Sequence, residues 1–294
     1  MFALHAIHRE SSVCTSALDK AIAEIQRIES LLTTFNETSI TAEINKNAGI
    51  RPVEVPYEVF SLIKRSLHIS QLTQGAFDIT YGGVDKSLWN FDPKMPSLPS
   101  RETAQKRIHL VDYRNIWLDD NMQTVFLKHP GMRIGFGGIG KGYAADCARR
   151  VMEECGIENG VVNAAGDLTT WGSQKNGKPW TIGIADPDKK ENLFSSFQIS
   201  GLSVATSGDY EKYVTIGNIR YSHTIDPRTG MPANGFKSVT VICPVAELAD
   251  ALTTPVMIMG VESGLHLINQ LNGVEAVIID HNNQLFTSKN INVR

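Results

Sequence analysis

The sequence is poor in the features that mark several specialised protein classes. Four cysteines, Cys14, Cys147, Cys155 and Cys243, stand among 294 residues with no Cys-x-x-Cys spacing. That excludes a zinc ribbon and a disulfide framework, and it points to reduced, mostly buried thiols. Lys plus Arg number 28 against 31 Asp plus Glu, a net charge of −3, so neither nucleic acid nor an anionic membrane has an electrostatic claim as partner. The first fifteen residues carry His5, His8, Arg9 and Glu10 and no continuous apolar run, and no later stretch approaches the roughly 20 apolar residues of a membrane span. Neither signal peptide nor anchor is therefore expected, and the chain reads as cytoplasmic as written, or extracytoplasmic if a leader was removed. Internal repeats and low-complexity segments are missing as well. With 42% hydrophobic residues there is enough apolar material for a core, and a small-molecule or protein substrate is the expectation.

The order of elements is legible from periodicity. "FALHAIH" alternates as an opening strand, and Leu18, Ile22, Ile25, Ile28 and Leu32 recur at helical spacing, with Ser16 and Asp19 as a capping-box start. A second helix is expected over about 57–74, burying Val59, Ile63 and Leu67 and ending at Gly75; residues 85–105, with Pro93, Pro96 and Pro99, read as an irregular connection. "IWLDDNMQTVFL" spells a hairpin. A glycine-rich stretch then opens a helix whose Ala144, Cys147, Ala148, Val151 and Met152 face inward and which stops at Gly156. Strand candidates follow one another through "GVVNAAGDLTTWG", "WTIGIAD", "SFQISGLSVATSG", "YVTIGNIRYSHTID" and "SVTVIC". A helix near 247–271, interrupted at Pro255, and a hairpin "VEAVIID-HNNQ-LFTS" close the order. Consecutive strands without intervening helices predict an α+β fold with mixed, largely antiparallel sheets and packed helices, not a doubly wound parallel one. No linker divides the chain, so residues 1–294 are expected to form one domain, with a smaller α/β subdomain whose limits the sequence does not mark.

Three constellations could carry chemistry. In "GFGGIGKGYAAD", residues 135–146, Gly135, Gly137 and Gly140 satisfy G-x-G-x-x-G, and Lys141 follows Gly140 as in a phosphate loop. The dinucleotide fingerprint requires a parallel βαβ unit that the later strands do not supply, and the phosphate loop requires Ser or Thr where Gly142 stands. What survives is either an anion site at a helix N-terminus or a purely structural strand-to-helix turn. In "ELADALTTPV", Asp250 and Thr254 lie four apart, one above the other on a helix. A carboxylate and a hydroxyl there suit Mg²⁺ and not zinc, but an Asp near a helix start also compensates the dipole. In "YSHTIDPRTG", residues 221–230, Asp226-Pro227-Arg228-Thr229-Gly230 spells a stiff turn. His223 on the strand leading into it would be held with little freedom, as a general base must be, or would serve as a structural or surface residue. "TSGDYEKY" is likewise a turn as well as a possible site.

Taken together and in order, these segments resemble the ApbE family of FAD:protein FMN transferases. The likeness runs from "TTFNETSITAEIN" through "GAFDIT", "GGIGKGYAAD", "VNAAGDL", "ATSGDYEKY" and "HTIDPRTGMP" to "ADALTT", nearly the whole chain. It implies a T-fold-like flavin transferase architecture and an Mg²⁺-dependent transfer of the FMN half of FAD to a Thr or Ser hydroxyl of an acceptor flavoprotein, releasing AMP. Alternatives are an FAD pyrophosphatase and a non-catalytic FAD-binding protein. Carried over position by position, the resemblance implies Mg²⁺ held by Asp250, Thr253, Thr254 and the carbonyl of Gly140. It implies FAD contacts from Ala76, Phe77, Asp78, Gly137, Tyr143, Thr224 and Ile225, with Phe35 where the family tends to have tyrosine. Lys141 and Arg228 could contact phosphate oxygens, and His223 is the implied catalytic base. The sequence departs from the family pattern in lacking its Met-Gly-Thr stretch before the first strand, in Ala165 where glycine is favoured, in Gly140 where alanine is usual, and in Pro255 within the last helix.

Overall fold

In strand β1, Phe2–Ile7, the half-buried Phe2, Leu4 and Ala6 alternate with the exposed Ala3 and His5, and the chain then enters helix α1, Ser11–Leu32. The computed structural model describes residues 2–84, 97–185, 193–209, 213–217 and 219–291. α1 begins five residues before the expected capping box, so Ser16 lies inside the helix. Its buried stripe runs through Ala17, Ala21, Ile28 and Leu32, whereas Ile22 is 44% exposed; small residues occupy the tightest positions. Helix α2, Ile40–Lys46, which periodicity did not reveal, starts where Ser39 Oγ accepts the N–H of Ala42. Strand β2, Val53–Glu54, precedes helix α3, Tyr57–Leu72, which buries Val59 and Ile63 and turns out through Gly75 at φ 79°. The expected irregular connection is corrected in part: Arg101–Arg107 form helix α4, started by Ser100 Oγ accepting the N–H of Thr103, while residues 85–96 lie outside the described residues.

Strands β3, Ile116–Asp119, and β4, Thr124–Leu127, form the expected hairpin and lead to helix α5, Gly140–Glu154. Strands β5, Asn159–Ala164, and β6, Asp167–Trp171, form a second hairpin, followed by β7, Trp180–Ala185, β8, Leu193–Ile199, and β9, Ser203–Gly208. Next come β10, Tyr213–Ile216, β11, Ile219–Ile225, β12, Pro232–Asn234, and β13, Phe236–Cys243. Helix α6, Ala246–Ile268, and the closing pair β14, Glu275–Asp280, and β15, Leu285–Thr287, complete the order. Every strand pairing among the described residues is antiparallel, as expected for an α+β fold.

The chain forms two compact units. The first comprises residues 1–28, 139–210 and 236–294; the second comprises 29–138 and 211–235. The first holds a seven-stranded sheet in the order β1-β5-β6-β9-β13-β14-β15 and the pair β7-β8. α5 and α6 pack against each other and against the large sheet. The period-two alternation of β6 turns Asp167, Thr169 and Trp171 toward the helices, where Trp171 joins Ala145, Ala148 and Met152 of α5. Leu168 faces the other way and packs with Val204, Ile242 and Ile199. The second unit holds the sheets β2-β4-β3 and β10-β11-β12, with Val84, Ala104, Ile108, Val214 and Ile225 in one core.

α6 corrects the expected interruption at Pro255. That proline is buried and the helix continues through it; the break falls at Gly260, with φ 87° and ψ 175°, a conformation open to glycine and costly for other residues. α6 is also long and apolar enough by composition to cross a membrane, contrary to the sequence expectation, but half of its apolar window is buried inside the protein, as a core helix requires. The four cysteines are free, Cys147 and Cys243 buried and the other two half-buried.

Candidate active site

The first unit concentrates charge where α5 begins. No side chain of α5's own N-terminal turn caps it, and its free N–H groups carry the positive end of the helix dipole. The N–H of Gly142 donates to Asp250 Oδ2 at 3.0 Å, so the anion at this helix N-terminus is supplied by the chain itself. A methyl at position 142 would lie 2.1 Å from the carbonyl oxygen of Ala246, which explains why glycine stands where a phosphate loop needs a hydroxyl. The exchange is reciprocal: Asp146 of α5 accepts the N–H groups of Ala246 at 3.1 Å and Glu247 at 2.9 Å, capping α6, whose preceding residue Val245 offers no side-chain cap.

Lys141 sits between two buried carboxylates. Its Nζ lies 2.7 Å from Asp167 Oδ2 and 2.9 Å from Asp250 Oδ1. Asp167 Oδ1 accepts the N–H of Thr206 at 3.2 Å. Thr253 donates its hydroxyl to the carbonyl of Asp250 at 2.9 Å and accepts from Ser207 Oγ at 2.8 Å. Burial would draw the Lys141 ammonium down, but Asp250 and Asp167 outweigh it and hold the group above its ordinary value. Asp167 is pushed up to about 6, first by burial and then by repulsion from Asp250, against the pull of Lys141. Two buried carboxylates already share a cation of the chain's own, and the Thr253 hydroxyl is one turn along α6 from Asp250, so the donors present are the hard oxygens that a divalent cation such as Mg²⁺ takes. Of the remaining expected ligands, Thr254 is half-buried one position further along α6, and Gly140 is the first residue of α5. Tyr143, expected against FAD, is buried in α5.

The second unit holds the remaining expected residues. His223 and Thr224 lie on β11 where its pairing with β12 slips: Tyr221 faces Asn234 and Ile225 faces Pro232, so the intervening residues form a bulge. A bulge re-aims the side chains it carries and recurs near active sites. The corner beyond it is built as expected. The carbonyl of Asp226 accepts the N–H groups of Thr229 and Gly230 at 3.2 and 2.8 Å, and its Oδ1 accepts the N–H of Arg228 at 2.9 Å. Gly230 is left-handed at φ 71°. The guanidinium of Arg228 forks onto Asp226 at 2.9 and 3.0 Å, which fixes the side chain expected near phosphate.

Ala76, Phe77 and Asp78 are buried. The carboxylate of Asp78 caps the 3-10 turn Ile79–Gly83: Oδ1 accepts the N–H and hydroxyl of Thr80 at 2.8 and 2.6 Å, and Oδ2 accepts the N–H of Tyr113 at 2.9 Å. Burial nonetheless pushes Asp78 up to about 6. Gly137 is exposed with open space beside it, Gly138 lies against the Phe77 ring, and Phe35 is 98% exposed. Two residues of the first unit went unassigned in the sequence reading, Asp146 and Asp167. Both lie inside the quoted motifs "GYAAD" and "NAAGDL", which were the available signal.

Comparison with known proteins identifies the family of the chain. The ApbE family pattern matches residues 3–278. A Klebsiella pneumoniae (strain 342) protein described as FAD:protein FMN transferase is 34% identical over 277 residues, covering 92% of this chain and 85% of its own. The Escherichia coli (strain K12) protein of the same description is 32% identical over 258 residues, covering 86% and 73%. Among solved structures, the ApbE protein of Thermotoga maritima MSB8 matches with a TM-score of 0.84 at 31% identity, over 97% of this chain and 92% of that one. The Pseudomonas stutzeri flavinyl transferase ApbE in its apo form matches with a TM-score of 0.85 at 26% identity, over 98% and 91%. With the family pattern spanning most of its length, this chain belongs to the ApbE family.

Proposed function

We propose that this protein is an FAD:protein FMN transferase that works with Mg²⁺, moving the FMN moiety of FAD onto a Thr or Ser hydroxyl of an acceptor flavoprotein and releasing AMP. The observation that carries the reading is the pair of buried carboxylates, Asp250 and Asp167, around a single ammonium at the N-terminus of α5, with the Thr253 hydroxyl on the Asp250 carbonyl, in a chain of this family. In the transfer, a bond forms between the acceptor oxygen and the phosphorus of the FMN phosphate, the bond from that phosphorus to AMP breaks, and the hydroxyl proton passes to the imidazole of His223. Asp250, with Thr253, Thr254 and the Gly140 carbonyl, would hold the cation. Mg²⁺ bound there supplies neutralisation of the diphosphate charge and of the AMP leaving group. The bulge and the stiff corner next to it restrict His223, which favours proton removal from one positioned hydroxyl.

The test is incubation with FAD, Mg²⁺ and a protein bearing an acceptor threonine, followed by mass spectrometry and AMP quantification. The reading expects a mass gain of one FMN per acceptor with stoichiometric AMP. FMN and AMP formed without an adduct would instead make the protein a pyrophosphatase, and retained FAD without AMP would make it a binding protein.

A further inference from the structure

The carboxylates around Lys141 are pinned and the lysine is not. Asp167 is held through Oδ1 by the N–H of Thr206, and Asp250 through Oδ2 by the N–H of Gly142. Their side chains are 5% and 4% exposed, whereas that of Lys141 is 43% exposed and is the one group of the three with room to move. The Lys141 ammonium lies 2.9 Å from Asp250 Oδ1, and a divalent cation taking that same oxygen would stand beside the ammonium, where two positive charges repel strongly in a buried setting. Lys141 must therefore yield Asp250 when the metal arrives. The 2.7 Å contact to Asp167 gives it a place to stay.

We infer that Asp167 is a positioning residue for the metal site: it retains Lys141 when a divalent cation takes Asp250, and Lys141 fills the site as an internal cation when none is bound. The inference rests on the metal reading above. Its logic is charge balance. While both are ionised, two buried carboxylates require positive charge nearby, with metal or without. Lys141 provides it to both without metal; with metal, the divalent ion neutralises Asp250 and Lys141 neutralises Asp167. Without Asp167, Lys141 would have Asp250 alone and would compete with the metal for it. The placement of Asp167 is built in by the β5–β6 hairpin, which pairs Ala164 with Asp167 across the two-residue turn Ala165-Gly166.

The experiment is calorimetric titration of Mg²⁺ into chelator-treated wild type, Asp167→Asn, Lys141→Gln and the double variant. Asp167→Asn is expected to bind Mg²⁺ about 10- to 100-fold more weakly, the usual cost of losing a partner just outside a metal's ligand shell. Lys141→Gln is expected to bind at least as tightly as wild type, and in its background most of the Asp167→Asn loss should disappear. Unchanged affinity in Asp167→Asn overturns the inference. An equal loss in both backgrounds makes Asp167 a direct ligand and overturns it too. Absence of Mg²⁺ uptake by the wild type removes the metal reading and this inference with it. Lys141→Gln is purified in Mg²⁺ to compensate its missing charge. Should it still not fold, the Lys141 Nζ resonance of the wild type decides: slow solvent exchange persisting at saturating Mg²⁺ supports retention by Asp167, and its loss contradicts it.

Discussion

The backbone N–H of Gly142 and the carboxylate of Asp250 meet at 3.0 Å, and this contact joins the start of α5 to the first turns of α6. With Asp146 capping α6 in return, each helix is completed by an acidic residue of the other. The residue proposed to hold the catalytic cation is thus also part of what locks the two helices together.

Gly142→Ala should destabilise the protein strongly. The added methyl would meet the Ala246 carbonyl at 2.1 Å, and backbone on both sides leaves no flexible group to give way. Overpacking of this kind costs typically about 1–3 kcal/mol and occasionally more. Denaturant unfolding should show the loss, accompanied by weaker Mg²⁺ binding as Asp250 is displaced; a variant as stable as wild type would mean the helices are less closely locked.

Asp250→Asn keeps an acceptor for the Gly142 N–H but removes the charge. The rate of FMN transfer should fall by roughly 10²- to 10³-fold, the scale of removing one electrostatic stabiliser of a transition state. Mg²⁺ should no longer raise the thermal midpoint of unfolding. Both are read on the same purified variant, by adduct mass spectrometry and by calorimetry.

His223→Ala should lower transfer by about 10²- to 10⁴-fold, the contribution of a positioned general base. The side chain is half-buried and sits in a bulge, so the fold and FAD binding should survive. Transfer at the wild-type rate would remove the base role.

Ala165→Gly should stabilise the protein. Ala165 has φ 56°, a left-handed conformation that costs a residue with a Cβ about 1–2 kcal/mol. Part of the gain is returned through the freer unfolded chain, leaving about 0.5–1 kcal/mol. Equilibrium unfolding of the two proteins side by side measures it.

Asp78 gives a pH signature. Burial raises it from 3.8 to about 6, so the folded protein holds this proton more tightly than the unfolded chain. The associated stability is fully present below about pH 4 and is lost as pH rises through 6, by about 3 kcal/mol at 1.36 kcal/mol per unit. The difference in unfolding free energy between wild type and Asp78→Asn should change by about this amount between pH 4 and 6, whereas the dependence contributed by other raised carboxylates such as Asp167 is common to both proteins.

Local pattern made much of the architecture legible. Alternation marked the strands after residue 159, and helical spacing marked α3, α5 and α6. Short-range chemistry foretold the Asp226–Gly230 corner, because its hydrogen bonds close within five residues. What stayed hidden depends on partners far along the chain. Asp146 meets Ala246, and Lys141 meets Asp250, across about a hundred residues, so the glycine string of α5 looked open to a phosphate when its anion was Asp250. Pro255 looked like a break because local rules penalise proline inside helices, yet packing carries the helix past it and Gly260 supplies the bend. The bulge at His223 is a matter of register with β12, which no single segment encodes.

The most direct test of the central claim is a crystal of the protein grown with FAD and Mn²⁺, with the ion located by its anomalous signal. The account predicts one strong peak in coordination contact with the Asp250 carboxylate and with Thr253 or Thr254, and Lys141 drawn toward Asp167. A peak remote from Asp250, or Lys141 still bridging both carboxylates beside a bound diphosphate, would contradict it.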